Sequence, residues 1–245
     1  MIVKRGIAIC HYNRNRLLKQ SIKETKRTCP EGAKIVVCDD GSSTSTPDIK
    51  KLCIEEKVPL IIGPNLGVTQ NKNRALFALQ DCHFIALLED DICPLEPGWF
   101  ELYEQASLLS GVHHFCRAGA DAAILESPFD SFMKSKGLTI LHNKTIRGDF
   151  TFITNKIIKN VGGLNSEFKG AGYSHIEWLN RIRLAGLVPQ HSAALDVKEA
   201  SVKLKDSLTS KSAKPTAQTE QEASKNLEIF KRLCQNPTTY QEFNL

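Results

Sequence analysis

The chain has 245 residues, 41% of them hydrophobic and 24% charged, with a formal net charge of +5. This is the profile of a soluble globular protein able to bury a full core as one domain. No apolar run reaches the roughly 18–20 residues of a membrane span, and the charge excess is too small to argue for nucleic acid.

The N-terminal "MIVKRGIAIC" is too short in its apolar part for a secretory signal and predicts a first strand. "RNRLLKQSIKETKR" follows with Leu17, Leu18 and Ile22 at helical spacing. "AKIVVC" predicts a second strand, closed by the turn-forming "DDGSSTSTPD". A helix over "IKKLCIEEK", a strand over "VPLIIG", a helix over "VTQNKNRALFALQ" and a strand over "CHFIALLED" continue the rhythm. Such alternation predicts an α/β fold, a mostly parallel central sheet flanked by helices. Beyond residue 110 the pattern loosens. "GLTILH" and "DFTFIT" predict strands, "NKIIKNVGG" a short helix, and about Ser174 to Ala185 a longer one stopped by Gly186. "KLKDSLTSKSAKPTAQTEQ" predicts a polar loop, and "EASKNLEIFKRLC" a last amphipathic helix. The eight cysteines form no CxxC pair, which suits free thiols in a reducing cytoplasm.

Ligands of open parallel sheets bind beyond the carboxyl ends of the strands, and three motifs belong there. Glu89, Asp90 and Asp91 in "FIALLEDDICP" concentrate negative charge that a divalent cation or hydrogen-bond donors must offset. Oxygen ligands of this kind suit Mn²⁺ or Mg²⁺, which commonly bridge to a diphosphate; a solvated acidic turn is the plain alternative. Asp40 in "VVCDDGSS" can accept from a base imide or cap a helix. Tyr12 in "ICHYNRN" can stack on a base or pack at the rim, and Lys72 in "NLGVTQNKNRAL" can meet a diphosphate or simply be solvated.

Together with "VGGLNSEFKGAGYSHIEWLNRIRLAG", these segments resemble the family 2 glycosyltransferases with the GT-A fold, in the expected order over roughly residues 5–190. The resemblance implies a sugar transferred from a nucleoside diphosphate donor to a hydroxyl, with inversion and Mn²⁺ or Mg²⁺. Tyr12 and Asp40 would hold the base, Lys72 or Arg74 would lie near the phosphates, and Asp90 would meet the ribose or donor sugar. Asp91 would coordinate the metal with Glu89 close by, and His191, or Asp196 or Lys198, would complete that site. Asp149 and Trp178 are candidates for the acceptor pocket.

One position departs from the family pattern. Counted back from Arg181, His175 stands where these enzymes carry their catalytic aspartate, and Glu177 occupies the second acidic position. His175 can be the base, kept neutral by the helix N-terminus. Alternatively Glu177 is the base and His175 orients the acceptor. In the third reading Glu177 pairs with Arg181 one turn on and His175 caps the helix.

The resulting expectation is a GT-A domain over residues 1–198, with a nucleotide-binding half to about 95 and an acceptor-side half beyond. Residues 199–245 form a polar segment with a terminal helix. The donor is expected to be UDP-linked and the acceptor a glycan or lipid-linked sugar, in a cytoplasmic protein with peripheral membrane association left open. A non-catalytic nucleotide-sugar or glycan-binding module is the alternative.

Overall fold

A computed structural model of the chain describes residues 3–43, 46–170, 172–189, 194–207 and 217–243. Four short apolar runs form β1 (Arg5–His11), β2 (Lys34–Asp39), β3 (Leu60–Ile62) and β4 (Phe84–Glu89). The crossovers are α1 (Asn15–Thr28), α2 (Thr46–Glu55) and α3 (Val68–Ala78). Strands covered on both faces carry continuous rather than alternating apolar residues, and Ile7, Ala8 and Ile9 are all fully buried. In α1 the buried residues Leu18, Ser21, Ile22 and Thr25 share one face at helical spacing.

The main sheet has the order β3-β2-β1-β4-β8-β6, where β6 is His114–Cys116 and β8 is Phe150–Thr154. The first four strands are mutually parallel, and β8 runs antiparallel to both β4 and β6. Register fixes the site. β1 places His11 opposite Asp39 of β2 and Cys10 opposite Glu89 of β4. The "HYNR", "DDGS" and "EDD" segments therefore leave the sheet along one edge.

Helix α4 (Trp99–Ser110) covers the second half with an aromatic cluster. Trp99, Phe100 and Tyr103 meet Phe150 and Phe152 at ring separations of 5.1–6.0 Å. Ser127 caps α5 (Pro128–Ser135) by accepting from the Asp130 amide. Then β7 (Ile140–Asn143) pairs with β9 (Ala194–Val197), and α6 (Asn155–Asn160), α7 (Ser174–Leu184) and the single turn α8 (Lys198–Ser201) complete this second half.

The stretch expected as a polar loop is partly structured. Leu204–Asp206 forms β10, antiparallel to β5 (Ile92–Pro94), and α9 spans Ala217–Gln235, starting earlier than the amphipathic pattern suggests. Leu204 is the buried residue that holds β10 down, an anchor too small to register in a run of polar neighbours. Helix α9 packs on α7, with Phe230 against Tyr173 at 5.4 Å. Gln241 closes the chain back onto Val161 and Gly163 through backbone hydrogen bonds. Among the described residues no helix is long and apolar enough to cross a membrane.

Candidate active site

Two adjoining hollows lie at the carboxyl edge of the parallel strands. The larger, about 620 Å³, is walled by His11, Tyr12, Arg14, Asp40, Asn71 and Glu89, with Lys169, Gly170 and Glu222 on its far side. The smaller, about 270 Å³, is walled by Lys72, Glu89, Gly148, Asp149 and His175. Glu89 borders both.

In the larger cleft Tyr12 is 41% exposed and its hydroxyl accepts from Asn65 Nδ2 at 2.8 Å. The neighbouring Asn13 has φ 55, a left-handed conformation that asparagine tolerates. Ser42 and Ser43 of the next loop hold it at 2.8 and 3.1 Å, so the tyrosine is presented by a braced turn. Asp40 accepts from the amides of Leu66 (3.2 Å) and Gly67 (2.8 Å) and from Arg74 at 3.0 Å. A carboxylate offers about four acceptor positions, so one more donor can be taken.

Arg74 is buried and also donates to the Pro64 carbonyl at 2.7 Å. It passes over Gly63, where a Cβ would lie 2.1 Å from the guanidinium carbon. The structure thus brings Arg74 to Asp40 rather than into the open cleft. Lys72 is buried too, at 1% exposure, and borders the smaller hollow instead of the larger. Its ammonium donates to Glu89 Oε1 at 2.8 Å, to the Gly148 carbonyl and to His175 Nε2 at 3.2 Å.

The acidic turn is heavily paired. Asp90 is fully buried, with Oδ2 2.7 Å from His11 Nδ1 and Oδ1 2.7 Å from Arg14. Asp91 Oδ2 accepts from Arg14 at 2.9 Å, whereas its Oδ1 is buried without a hydrogen-bond partner. Burial pushes the Asp91 carboxyl up to about 6 against the opposing pull of Arg14. Among the described residues no three His, Cys, Asp or Glu side chains converge as a metal cage. Hard cations that serve phosphates commonly take only one or two protein carboxylates and let phosphate and water complete the shell. An orphaned Asp91 oxygen fits that mode. His191 lies outside the described residues. Asp196 is buried away from the turn, held by the Tyr103 hydroxyl and the Ala118 amide.

The four residues proposed as base or for the acceptor pocket separate sharply. His175 is half-buried on the smaller hollow, its ring against Gly148, where a Cβ would meet it at 2.4 Å. Because an ammonium cannot accept, Nε2 must be the unprotonated ring nitrogen. Burial first, then the Lys72 charge, holds the imidazole well below its usual range. Glu177 points elsewhere. Both its oxygens bind Arg181, at 2.6 and 2.9 Å, and that guanidinium also donates to the carbonyls of Val161 and Gly163. Trp178 is fully buried with its indole on the Gly162 carbonyl, so it walls neither hollow. Asp149 does border the smaller one, clamped by Arg117 and Arg147, which also reach Asp206. Arg117 and hydrogen bonding outweigh burial and keep its carboxyl below the usual range.

His11, Arg14, Asn65, Lys169 and Glu222 were not singled out from the sequence. The first two lie inside the "HYNR" motif, so their place beyond a strand was a usable signal. Glu222, about 130 residues past the acid turn, carried none.

Residues 6–109 match the family model described as Glycosyl transferase family 2. No curated protein matches the chain. Among solved structures, GalNAc-T7 with UDP, GalNAc and Mn²⁺ superposes with a TM-score of 0.66 at 13% identity, over 93% of this chain and 48% of that one. The mannosyltransferase PcManGT from Pyrobaculum calidifontis, in complex with GDP-Man and Mn²⁺, gives 0.51 at 14% identity over 75% and 54%. S. aureus TarS gives 0.50 at 13% identity over 69% and 32%. The chain spans about half or less of the length of these structures. It has the GT-A fold, and within it residues 6–109 match the Glycosyl transferase family 2 model.

Proposed function

We propose that the protein is a glycosyltransferase that moves a sugar from a nucleoside diphosphate donor, UDP-linked, to a hydroxyl of a glycan or lipid-linked acceptor, with inversion. The observation that carries this reading is the junction at Glu89. A cleft with an exposed tyrosine and a carboxylate adjoins a second hollow bearing an unprotonated imidazole nitrogen. Donor and acceptor can therefore approach one another from two sides.

In this reading the base stacks on Tyr12 and its imide N–H donates to Asp40. The diphosphate lies toward Arg14 and the acidic turn. Asp91 would hold Mn²⁺ or Mg²⁺ through its unpartnered oxygen; when bound, such a cation stabilises a departing diphosphate as a Lewis acid. The buried Lys72 orients Glu89 and His175 rather than meeting phosphate itself.

Of the two candidate bases we favour His175, since both oxygens of Glu177 are tied to Arg181, whose guanidinium is itself fixed on the carbonyls of Val161 and Gly163. Taking a proton at Nε2 requires Lys72 to shift onto Glu89 and the Gly148 carbonyl, because an imidazolium and an ammonium at 3.2 Å repel. Asp149, held by two arginines, borders the acceptor hollow as a hydrogen-bond acceptor. Eight free cysteines accord with a reducing cytoplasm, and the +5 charge with work near an anionic membrane face.

A second reading, a nucleotide-sugar-binding module without turnover, is favoured by one feature: the Lys72 contact occupies the only nitrogen of His175 that could accept a proton. Thermal unfolding with UDP or GDP and Mn²⁺ tests the donor site common to both. A bound nucleotide raises the midpoint, and Tyr12→Ala is expected to shrink the rise at the same nucleotide concentration. A midpoint unmoved by every nucleotide contradicts both readings.

A further inference from the structure

Arg14 is where the cleft and the acidic turn meet. It borders the larger cleft with 36% of its side chain exposed, yet its two terminal nitrogens grip Asp90 Oδ1 at 2.7 Å and Asp91 Oδ2 at 2.9 Å. The fork bridges neighbouring carboxylates. Asp90 has a second holder in His11, and Glu89 has Lys72, but the ion pair of Asp91 is with Arg14. The guanidinium keeps its charge at any working pH, so the turn carries a resident cation.

A divalent ion that joins Asp91 must arrive beside that positive charge, and like charges in a partly buried site repel strongly. A guanidinium fork also fits phosphate as well as carboxylate, with two parallel hydrogen bonds. Arg14 already borders the cleft on the side where a diphosphate would lie, and its exposed arm can reach either anion. The residue sits at the start of α1, preceded by the braced Asn13 turn, so only the side chain needs to move.

Resting on the reading of Asp91 as a metal-binding residue, we infer that Arg14 is a positioning residue that holds divalent metal off Asp91 until a diphosphate draws the guanidinium away. Metal and nucleotide then bind as a couple, each weak alone. Such ordering keeps the acidic turn from being loaded by free cation in the absence of donor.

The test is binding of Mn²⁺ alone, followed by electron paramagnetic resonance of the free ion, on the full chain. Arg14→Gln is expected to bind Mn²⁺ about tenfold tighter than the unchanged protein, and Arg14→Lys about threefold tighter, because an ammonium grips one carboxylate at a time. Arg14→Lys keeps the charge beside buried Asp90 and so reads the effect even if Arg14→Gln fails to fold. Equilibrium dialysis at fixed free Mn²⁺ supplies a second reading. UDP is expected to raise Mn²⁺ affinity at least about tenfold in the unchanged protein and less in Arg14→Lys. Equal or weaker Mn²⁺ binding in both folded variants overturns the inference while leaving the transferase reading intact. An Asp91→Asn change that leaves Mn²⁺ affinity untouched in every background overturns the metal role of Asp91 and, with it, this inference.

Discussion

The two halves of the molecule handle their charged residues in opposite ways. In the first half, Tyr12, Arg14, Asp40 and Glu89 leave the ends of parallel strands and border an open cleft. In the second half, Glu177, Arg181 and Trp178 occupy a helix that turns them away from the cleft, and of the expected set His175 and Asp149 border the smaller hollow. Strand ends in a parallel sheet have a shared direction, so sequence position there implies spatial position. A helix entered from a glycine-rich loop has no such constraint: its rotation depends on what the loop packs against.

The largest expected effect falls in the first half. Asp91→Asn removes the unpartnered oxygen and is expected to lower sugar transfer about a thousandfold or more, with activity also lost to EDTA and restored by Mn²⁺. In the second half, His175→Ala is expected to lower kcat about a hundredfold or more with little change in Tm. Glu177→Gln is expected to do the reverse. It leaves a buried guanidinium short of its partner and costs about 3–5 kcal/mol of stability, while the folded fraction keeps its activity. Should Glu177→Gln instead abolish kcat at unchanged Tm, the division drawn between the two residues breaks.

Smaller effects sharpen the contrast. Tyr12→Ala is expected to weaken nucleotide binding about tenfold by loss of base stacking, with Tm of the free protein unchanged, as calorimetry can show. Two histidines of the second half give a pH signature. Burial pushes His114 down to about 3 and holds His175 well below its usual value. The unfolded chain therefore binds more protons below pH 6.5, so their contribution is complete above that value and is lost as the pH falls. Asp91 and Asp196, raised to about 6, act in the opposite direction between pH 6 and about 4. Subtracting His114→Leu from the unchanged protein isolates one group. The acid loss between pH 6.5 and 5 is expected to shrink by about 2 kcal/mol in urea titrations.

The β-α rhythm to residue 91 showed in the sequence because buried strands and amphipathic helices have distinct periods, and the acids at strand ends followed from the sheet rule. What escaped was pairing. Nothing in "NKNRAL" says that Lys72 is turned to Glu89 and His175 while Arg74 crosses Gly63 to reach Asp40; those partners come from loops far along the chain. The i,i+4 spacing of Glu177 and Arg181 was visible, but the two carbonyls that complete the guanidinium's shell belong to residues 161 and 163. Likewise α9 reaches the cleft through Glu222, a tertiary contact from a helix that the amphipathic pattern foretold without saying what it packs against.

The claim that the two hollows form one reaction centre is tested most directly by nucleotide release. The full chain would be incubated with UDP- and GDP-sugars and Mn²⁺, with simple sugar acceptors, beside Asp91→Asn and His175→Ala. The account expects release of nucleoside diphosphate with at least one donor, suppressed in both variants. Nucleotide binding with no release from any donor, or release that both variants retain in full, would contradict it.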